Sequence, residues 1–397
     1  MSKPVAEPRQ LRTVGLFAGI GGIEAGLESA GHQTRLLCEL DRGACAVLED
    51  RFPGVPIHTD ICTLEDVPRG TDLIAGGFPC QDLSQAGQTR GISGAQSGLV
   101  HQVFRLLEKR RVPWVLLENV PFMLQLAQGR ALEVVVENLE RLGYSWAYRV
   151  VETRAFGLPQ RRQRVFFLAS LEEDPRRVLF SHEVEPPMEP AYDPENRPAC
   201  GFYWTEGVRG LGWAVDAVPT LKGGSTVGVP SPPAIWLPSD QIVTPSIGDA
   251  ERLQGFRKHW TKPAEAVVRR GARWKMVGNA VTVPVAKWVG ERLAQPTDFE
   301  LGLERRLHDG GRWPHAAWNV GEGRFTAHVS SWPVRKKRRP LAEFLKDEPT
   351  LLSHRATAGF LERTTRGSLR FPIGFLDAVA RHRERMAKSN EEKVVVG

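Results

Sequence analysis

A cysteine closes one strand-like run, Gly76-Gly-Phe-Pro-Cys-Gln81, and a carboxylate closes another, Leu116-Leu-Glu-Asn-Val120. The thiolate is the nucleophilic form of cysteine, so Cys80 is a candidate for covalent catalysis, with Pro79 stiffening its turn. Glu118 would project from the sheet edge beside Cys80. A nucleophile paired with an acid suits attack on an electron-poor ring, where the acid stabilises the charge that develops. The polar stretch 82–98, DLSQAGQTRGISGAQSG, reads as a mobile lid next to the cysteine. Gln160-Arg-Arg-Gln-Arg164 leads into the apolar run VFFLA. Its arginines either bind phosphate or hold the carboxylate; a solvated charge run is the plain alternative.

A second set of residues could hold a nucleoside. Phe17-Ala-Gly-Ile-Gly-Gly-Ile-Glu-Ala-Gly26 follows one predicted strand and opens a helix, where glycines let a ligand approach the backbone closely. A dinucleotide fingerprint needs its third glycine at 24, and Glu24 stands there, which weakens a nicotinamide reading and leaves room for another nucleoside cofactor. Cys38-Glu39-Leu40-Asp41 places an acid at the end of the second strand, where ribose hydroxyls bind. Asp60-Ile61 follows at the third. Each acid alone is as well read as a helix cap or a solvated loop; their order along the chain is what carries weight.

The elements that must position these residues follow from periodicity. Strands are predicted over 12–17, 34–39, 71–76, 113–118 and 164–169, alternating with helices near 22–30, 42–51, 99–110 and 130–142. That alternation implies an α/β fold with a doubly wound, mostly parallel sheet over 11–170, which binds ligands at the carboxyl ends of its strands. Residues 171–249 are Pro- and Gly-rich and read as a small irregular lobe. The chain returns to the first domain over 250–296, ending in a helix at 284–295 with Pro284 in its first turn. A basic extension, 297–397, holds RKKRR at 335–339 and a last helix at 372–388.

Of 397 residues, 41% are hydrophobic and 25% charged, an ordinary globular balance. No apolar run approaches the roughly 18 residues of a membrane span, and the first residues lack the apolar core of a secretory signal. The net charge of +7 is carried wholly by 300–397, which points to a polyanionic partner. The five cysteines are widely spaced with no CxxC, so no metal site is expected, and free thiols in a reducing cytoplasm are the simplest reading.

With these motifs in view, the chain strongly resembles the DNA (cytosine-5)-methyltransferase family. FAGIGG at 17–22, Glu39, Asp60, GFPCQ at 77–81, ENV at 118–120, QRRQR at 160–164, RLQGF at 252–256 and VGNAV at 277–281 come in the family's order. The resemblance implies an S-adenosylmethionine-dependent, Rossmann-like fold and transfer of a methyl group to carbon 5 of a cytosine flipped out of duplex DNA. It implies Cys80 as nucleophile at carbon 6, Glu118 holding ring nitrogen 3 protonated, Arg164 contacting the flipped base and Arg162 supporting the carboxylate. The cofactor would lie on Phe17, Ala18, Gly19, Ile20, Gly21 and Gly22. Glu39 would hold its ribose, Leu40 would stand where an aromatic stacks on the adenine, and Asp60 and Ile61 would lie at the adenine. Gly77, Pro79, Leu99, Asn279, Ala280 and Val281 would complete the wall. Gln81, Ser84, Arg90 and Thr220 would touch DNA.

Three departures from the family's pattern stand out. Leu40 replaces a stacking aromatic. The lid lacks an arginine before its closing leucine, so Arg90 is assigned the phosphate contact. The variable recognition segment, about 171–219, is short, and the basic region 300–397 is expected to add DNA contacts. The family implies a monomer acting in the cytoplasm within a restriction-modification or related antiviral defence system, with other defence proteins as further partners. A tRNA methyltransferase is the same-chemistry rival, but its Cys-Phe-Thr tripeptide is absent. A silent DNA-binding relative is opposed by the intact Cys80, Glu118 and Arg164.

Overall fold

A computed structural model of the chain describes residues 8–78, 98–223, 231–300, 304–307 and 312–395. Pro79, Cys80, Gln81, Ser84 and Arg90 lie outside the described residues.

β1 (Arg12–Leu16), β2 (Gln33–Cys38), β3 (Ile57–His58), β4 (Leu73–Gly77) and β5 (Trp114–Asn119) run parallel, with β1 lying between β2 and β4. The chain lays β1 to β3 outward, then crosses back to β4 on the other side of β1. That reversal opens a cleft at the carboxyl ends of β1 and β4. The expected doubly wound core is therefore present. It is extended by four antiparallel strands, of which only β8, predicted over 164–169, was expected as a strand. β8 (Gln163–Ser170) pairs antiparallel with both β5 and β6 (Ser145–Glu152). β14 (Ala316–Asn319) then pairs antiparallel with β6, and β15 (Phe325–Thr326) with β14. The nine-stranded sheet is thus mixed.

Its central strands β1, β4, β5, β6 and β8 are largely buried on both faces, which explains their continuous apolar sequences. In β5, Val115 and Leu117 face one core while Trp114 and Leu116 face the other. The first core receives Val103, Phe104 and Leu107 of α3 (Leu99–Lys109) and Leu132, Val135 and Val136 of α4 (Arg130–Arg141). The second receives Ile23 and Leu27 of α1 (Gly22–Ser29) and Trp288, Val289 and Leu293 of α8 (Val283–Ala294). α1 and α8 pack closely because Gly26 lacks a side chain: a Cβ there would lie 2.5 Å from that of Ala286. α2 (Arg42–Arg51) is capped by Asp41, whose carboxylate accepts from the Ala44 N–H at 3.0 Å.

β6 is missing from the sequence expectation because SWAYRVVE shows no alternation. Seven of its eight residues are buried, including Arg149, whose guanidinium is satisfied by the carbonyls of Leu179, His182 and Ser330 and by Glu183. α5 (Arg176–Leu179) supplies the first of those carbonyls.

The small lobe is built on a five-stranded sheet in the order β10 (Ala214–Val215), β9 (Cys200–Phe202), β12 (Ala234–Trp236), β13 (Ile242–Thr244), β16 (Thr350–Leu351). A separate two-stranded link joins the lobe to the domain of the large sheet, where β11 (Val218–Pro219) pairs with β7 (Gln160–Arg161). α6 (Ile247–Leu253) and α7 (Ala272–Asn279) lead back to α8. The last hundred residues, read as a basic extension, are woven into both sheets: β14 and β15 extend the large one and β16 edges the small one. α9 (Leu341–Phe344) bridges the two, and α10 (His354–Thr364) and α11 (Phe375–Val395) cover the lobe. Phe360, Phe375, Ala378 and Val379 close over Phe202, Trp236 and Ile242. No described helix is long and apolar enough to cross a membrane.

Candidate active site

The carboxyl ends of β1, β2 and β4 open into a cavity of about 340 Å³. Phe17, Ala18, Gly19, Ile20 and Gly22 form one wall; Glu39, Leu40, Asp60, Ile61, Gly77 and Leu99 form another; Asn279, Ala280 and Val281 close it. Every one of these was expected on the cofactor. Gly21 does not line the cavity. It takes a left-handed conformation, φ 79°, to turn the chain into α1, and it packs against the Phe52 ring.

Each wall has a local cause. Gly19, φ 56°, presents its Cα to open space, with no atom within 4 Å of where a Cβ would stand. Glu39 is held from both sides: the Gly19 N–H donates to Oε2 at 2.7 Å and the Asp41 N–H to Oε1 at 2.8 Å. Its carboxylate therefore sits at the loop rim, able to accept from a vicinal diol. Asp60 accepts from the Cys62 N–H at 2.9 Å, which orients the loop after β3. Gly22 meets the Val281 carbonyl so closely that any Cβ would collide with it, which brings the VGNAV segment onto the glycine loop. The Trp260 indole N–H donates to the Ile20 carbonyl at 2.8 Å and ties the same loop to the segment after α6. Leu40 is 73% exposed at the rim, an apolar platform without an aromatic face.

An open cradle at Gly19, an anchored acid for a diol and apolar walls fit a nucleoside-bearing cofactor, S-adenosylmethionine, well. The sequence reading missed Ile23, Cys38, Asp41, Ala44, Thr59, Lys275 and Met276, which also line the cavity. Lys275 and Met276 precede Asn279 by four and three residues on α7, so helical spacing back from VGNAV was the available signal.

Glu118 also lines the cavity, from the carboxyl end of β5, opposite Gly77 in register. It is 7% exposed and pairs with Arg164, Nε to Oε1 at 3.0 Å. Burial raises its pKa above the ordinary carboxylate value, while Arg164 and then Arg162 pull it back. Arg164 reaches it because β8 pairs antiparallel with β5 beside it.

Arg162 stands differently from the expectation. Its guanidinium, 1% exposed, donates to the carbonyls of Leu221 at 3.4 Å, Gly278 at 3.2 Å and Ala280 at 2.8 Å. Arg164, not Arg162, makes the described ion pair with the carboxylate. Burial depresses the pKa of Arg162 well below its usual value, with Arg164 adding to this and Glu118 opposing it.

Around it lies a buried polar network. Gln160 donates to the Leu253 carbonyl at 2.8 Å and accepts from the Leu221 N–H at 3.0 Å. Gln254 donates to the Val277 carbonyl at 2.8 Å and accepts from the Thr282 hydroxyl at 3.0 Å. The QRRQR, RLQGF and VGNAV motifs are thus one hydrogen-bonded joint. Thr220, expected on DNA, donates its hydroxyl to the Arg161 carbonyl at 2.9 Å in the same joint.

Cys38, Cys45 and Cys200 are buried, with thiol pKa values pushed up to about 12, 11 and 12, chiefly by burial. They are poor thiolates. Cys62 is exposed, and its thiol is also raised. No described cysteine is thus an activated nucleophile.

Comparison with known proteins agrees with this geometry. The description "C-5 cytosine-specific DNA methylase" matches residues 11–199. The type II methyltransferase M2.BsuMI of Bacillus subtilis (strain 168) is 47% identical, over 94% of this chain and 99% of that protein. M.NlaX of Neisseria lactamica is 28% identical over 71% of this chain and 96% of its own length. Among solved structures, Dnmt2 methyltransferase of S. pombe superposes with a TM-score of 0.53 at 18% identity, covering 71% of this chain and 98% of that one. The methyltransferase EhMeth of Entamoeba histolytica gives 0.51 at 13%, covering 72% and 98%. These two structural likenesses speak to fold alone. On its sequence identity, carried over nearly its whole length, the chain belongs to the C-5 cytosine-specific DNA methylase family.

Proposed function

We propose that this member of the family methylates one short duplex sequence, using Cys80 as nucleophile and the Glu118–Arg164 pair to hold the target base. The observation that carries the reading is Glu118: a buried carboxyl, ion-paired with Arg164, in the wall of the cofactor-shaped cavity. A stacked cytosine cannot reach such a site, so the base must be flipped into it.

The Cys80 thiolate adds to carbon 6 while the Glu118 carboxyl keeps a proton at ring nitrogen 3, which leaves carbon 5 electron-rich. S-adenosylmethionine, when bound, supplies an electrophilic methyl group to carbon 5. Loss of the carbon 5 proton to water then returns an electron pair to the ring and expels the thiolate. Glu39, Gly19 and Asp60 bind the cofactor's nucleoside. Arg164 orients Glu118 and faces the base, and Arg162 braces the Gly278–Ala280 segment. The setting this implies is a cytoplasmic monomer that protects host DNA in a restriction-modification or related defence system.

The test uses genomic DNA from a methylation-free host expressing the wild type or Cys80→Ala, sequenced after bisulfite conversion. Methylation at one motif in the wild type and none in the variant is expected. No methylation in either overturns the reading of a stand-alone DNA enzyme.

A further inference from the structure

RKKRR is the densest cationic run in the chain, and the structure places it. It lies on the turn after β6, the segment that leads into QRRQR. The Lys336 N–H donates to the Ala155 carbonyl at 2.9 Å, and the Lys336 ammonium stands over the Phe156 ring, 5.9 Å from its centre. The Lys337 carbonyl passes so close to Gly157 that a Cβ there would lie 2.9 Å away. Arg338 pairs with Asp216 at 2.9 Å in the β10–β11 turn of the small lobe, and the Leu341 N–H donates to the same carboxylate at 2.6 Å. The run is therefore a strap pinned at both ends across the junction of the two lobes.

Arg335, Lys336, Lys337 and Arg339 are exposed, and none of the ion pairs among the described residues includes them. Two carboxylates near the strap are engaged: Glu189 binds the Arg154 guanidinium at 2.6 and 2.8 Å, and Asp216 binds Arg338. Arg154 holds the Glu189 carboxyl below its usual value, with Arg161 and Arg338 adding to this. A groove of about 460 Å³ runs beside it, floored by Trp332 and rimmed by Met188, which is 93% exposed.

We propose that Arg335, Lys336, Lys337 and Arg339 form a docking surface for the sugar-phosphate backbone of the duplex DNA that the active site modifies. The proposal rests on the DNA methyltransferase reading. Free cations on a pinned strap lose little conformational freedom on meeting a polyanion, and phosphate contacts set position and affinity without reading sequence. The surface supplies backbone affinity that a short recognition segment would otherwise have to provide.

The test is the salt dependence of duplex binding. The full chain carrying Arg335→Gln, Lys336→Gln and Lys337→Gln is compared with the wild type on a duplex oligonucleotide bearing the methylated motif. A charge-matched control carries Arg35→Gln, Arg69→Gln and Lys109→Gln, toward the amino ends of β2, β4 and β5. Every phosphate left without its cation flattens the slope of log affinity against log salt by about 0.9. The strap variant is expected to show a shallower slope and a raised KM for DNA, with kcat and site choice unchanged, while the control keeps the wild-type slope. A charge-preserving Arg335→Lys, Lys337→Arg variant is expected to keep it too, which separates charge from folding. Equal slopes in strap variant and wild type, or an equal fall in strap variant and control, overturn the proposal. Salt-sensitive duplex binding through the strap without methylation sinks the enzymatic reading and leaves this one standing.

Discussion

Arg162 donates to the backbone carbonyl of Ala280 at 2.8 Å, so a residue of the QRRQR motif is fastened to a wall of the cofactor cavity. The same guanidinium reaches Leu221, where the chain leaves the small lobe. The cofactor cavity and the lobe junction therefore share one buried cation.

Arg162→Met is expected to leave the Leu221 and Gly278 carbonyls without this donor, while Ala280 keeps the Gln254 amide at 3.4 Å, at a cost of about 2–6 kcal/mol, since each orphaned buried group costs roughly 1–3. Urea unfolding measures the loss. Titration with S-adenosylhomocysteine is expected to show weaker binding as Ala280 relaxes. Unchanged cofactor affinity in a folded variant means the brace does not reach the cavity.

Glu118→Gln is expected to lower kcat about 100-fold or more, the usual scale for a positioned proton-handling group. Arg164→Met removes the largest influence holding the Glu118 pKa down, so burial then raises it further. If the protonated carboxyl is the working form, activity falls as pH rises through this pKa. The falling limb of the kcat profile should then move to higher pH in the variant. A limb that stays put assigns it to another group.

Glu24 stands where a dinucleotide fingerprint would have glycine, and its side chain turns inward against Gly15 of β1. Neither oxygen finds a hydrogen-bond partner, and burial pushes its pKa up to about 8 from an ordinary 4.5. The folded chain thus holds a proton that the unfolded chain releases, and stability falls as pH rises between about 4.5 and 8. One proton is worth about 1.4 kcal/mol per pH unit. Thermal unfolding across that window should show a shallower decline for Glu24→Gln than for the wild type; parallel curves would mean that Glu24 ionises elsewhere.

Phe375 packs edge-on against Phe202 with ring centres 4.9 Å apart. Phe375→Ala is expected to cost about 3–5 kcal/mol through cavity formation. Removing everything after 296 also strips β14 from β6, and that fragment is expected to precipitate or stay unfolded, as solubility and circular dichroism would show. A soluble, cooperatively folding fragment would mean that the last hundred residues are dispensable to both sheets.

Local chemistry made much of this protein legible before any coordinates. Gly19, Glu39, Asp60 and Glu118 sit at the carboxyl ends of parallel strands, which converge on one edge, so their order along the chain was enough to predict a shared site; Arg164 joins them from the amino end of antiparallel β8. The parallel strands β1, β4 and β5 and helices α1 to α4 follow from short-range periodicity, which a sequence carries directly. The pairing of β14 with β6, the passage of α10 and α11 over the small lobe, and the duty of Arg162 could not be read that way. Each depends on contacts between segments 59 to more than 160 residues apart, and a buried strand or arginine looks the same in sequence whichever partner satisfies it. The basic run was visible as charge; only folding decided that it would be pinned between Ala155 and Asp216 rather than left as a tail.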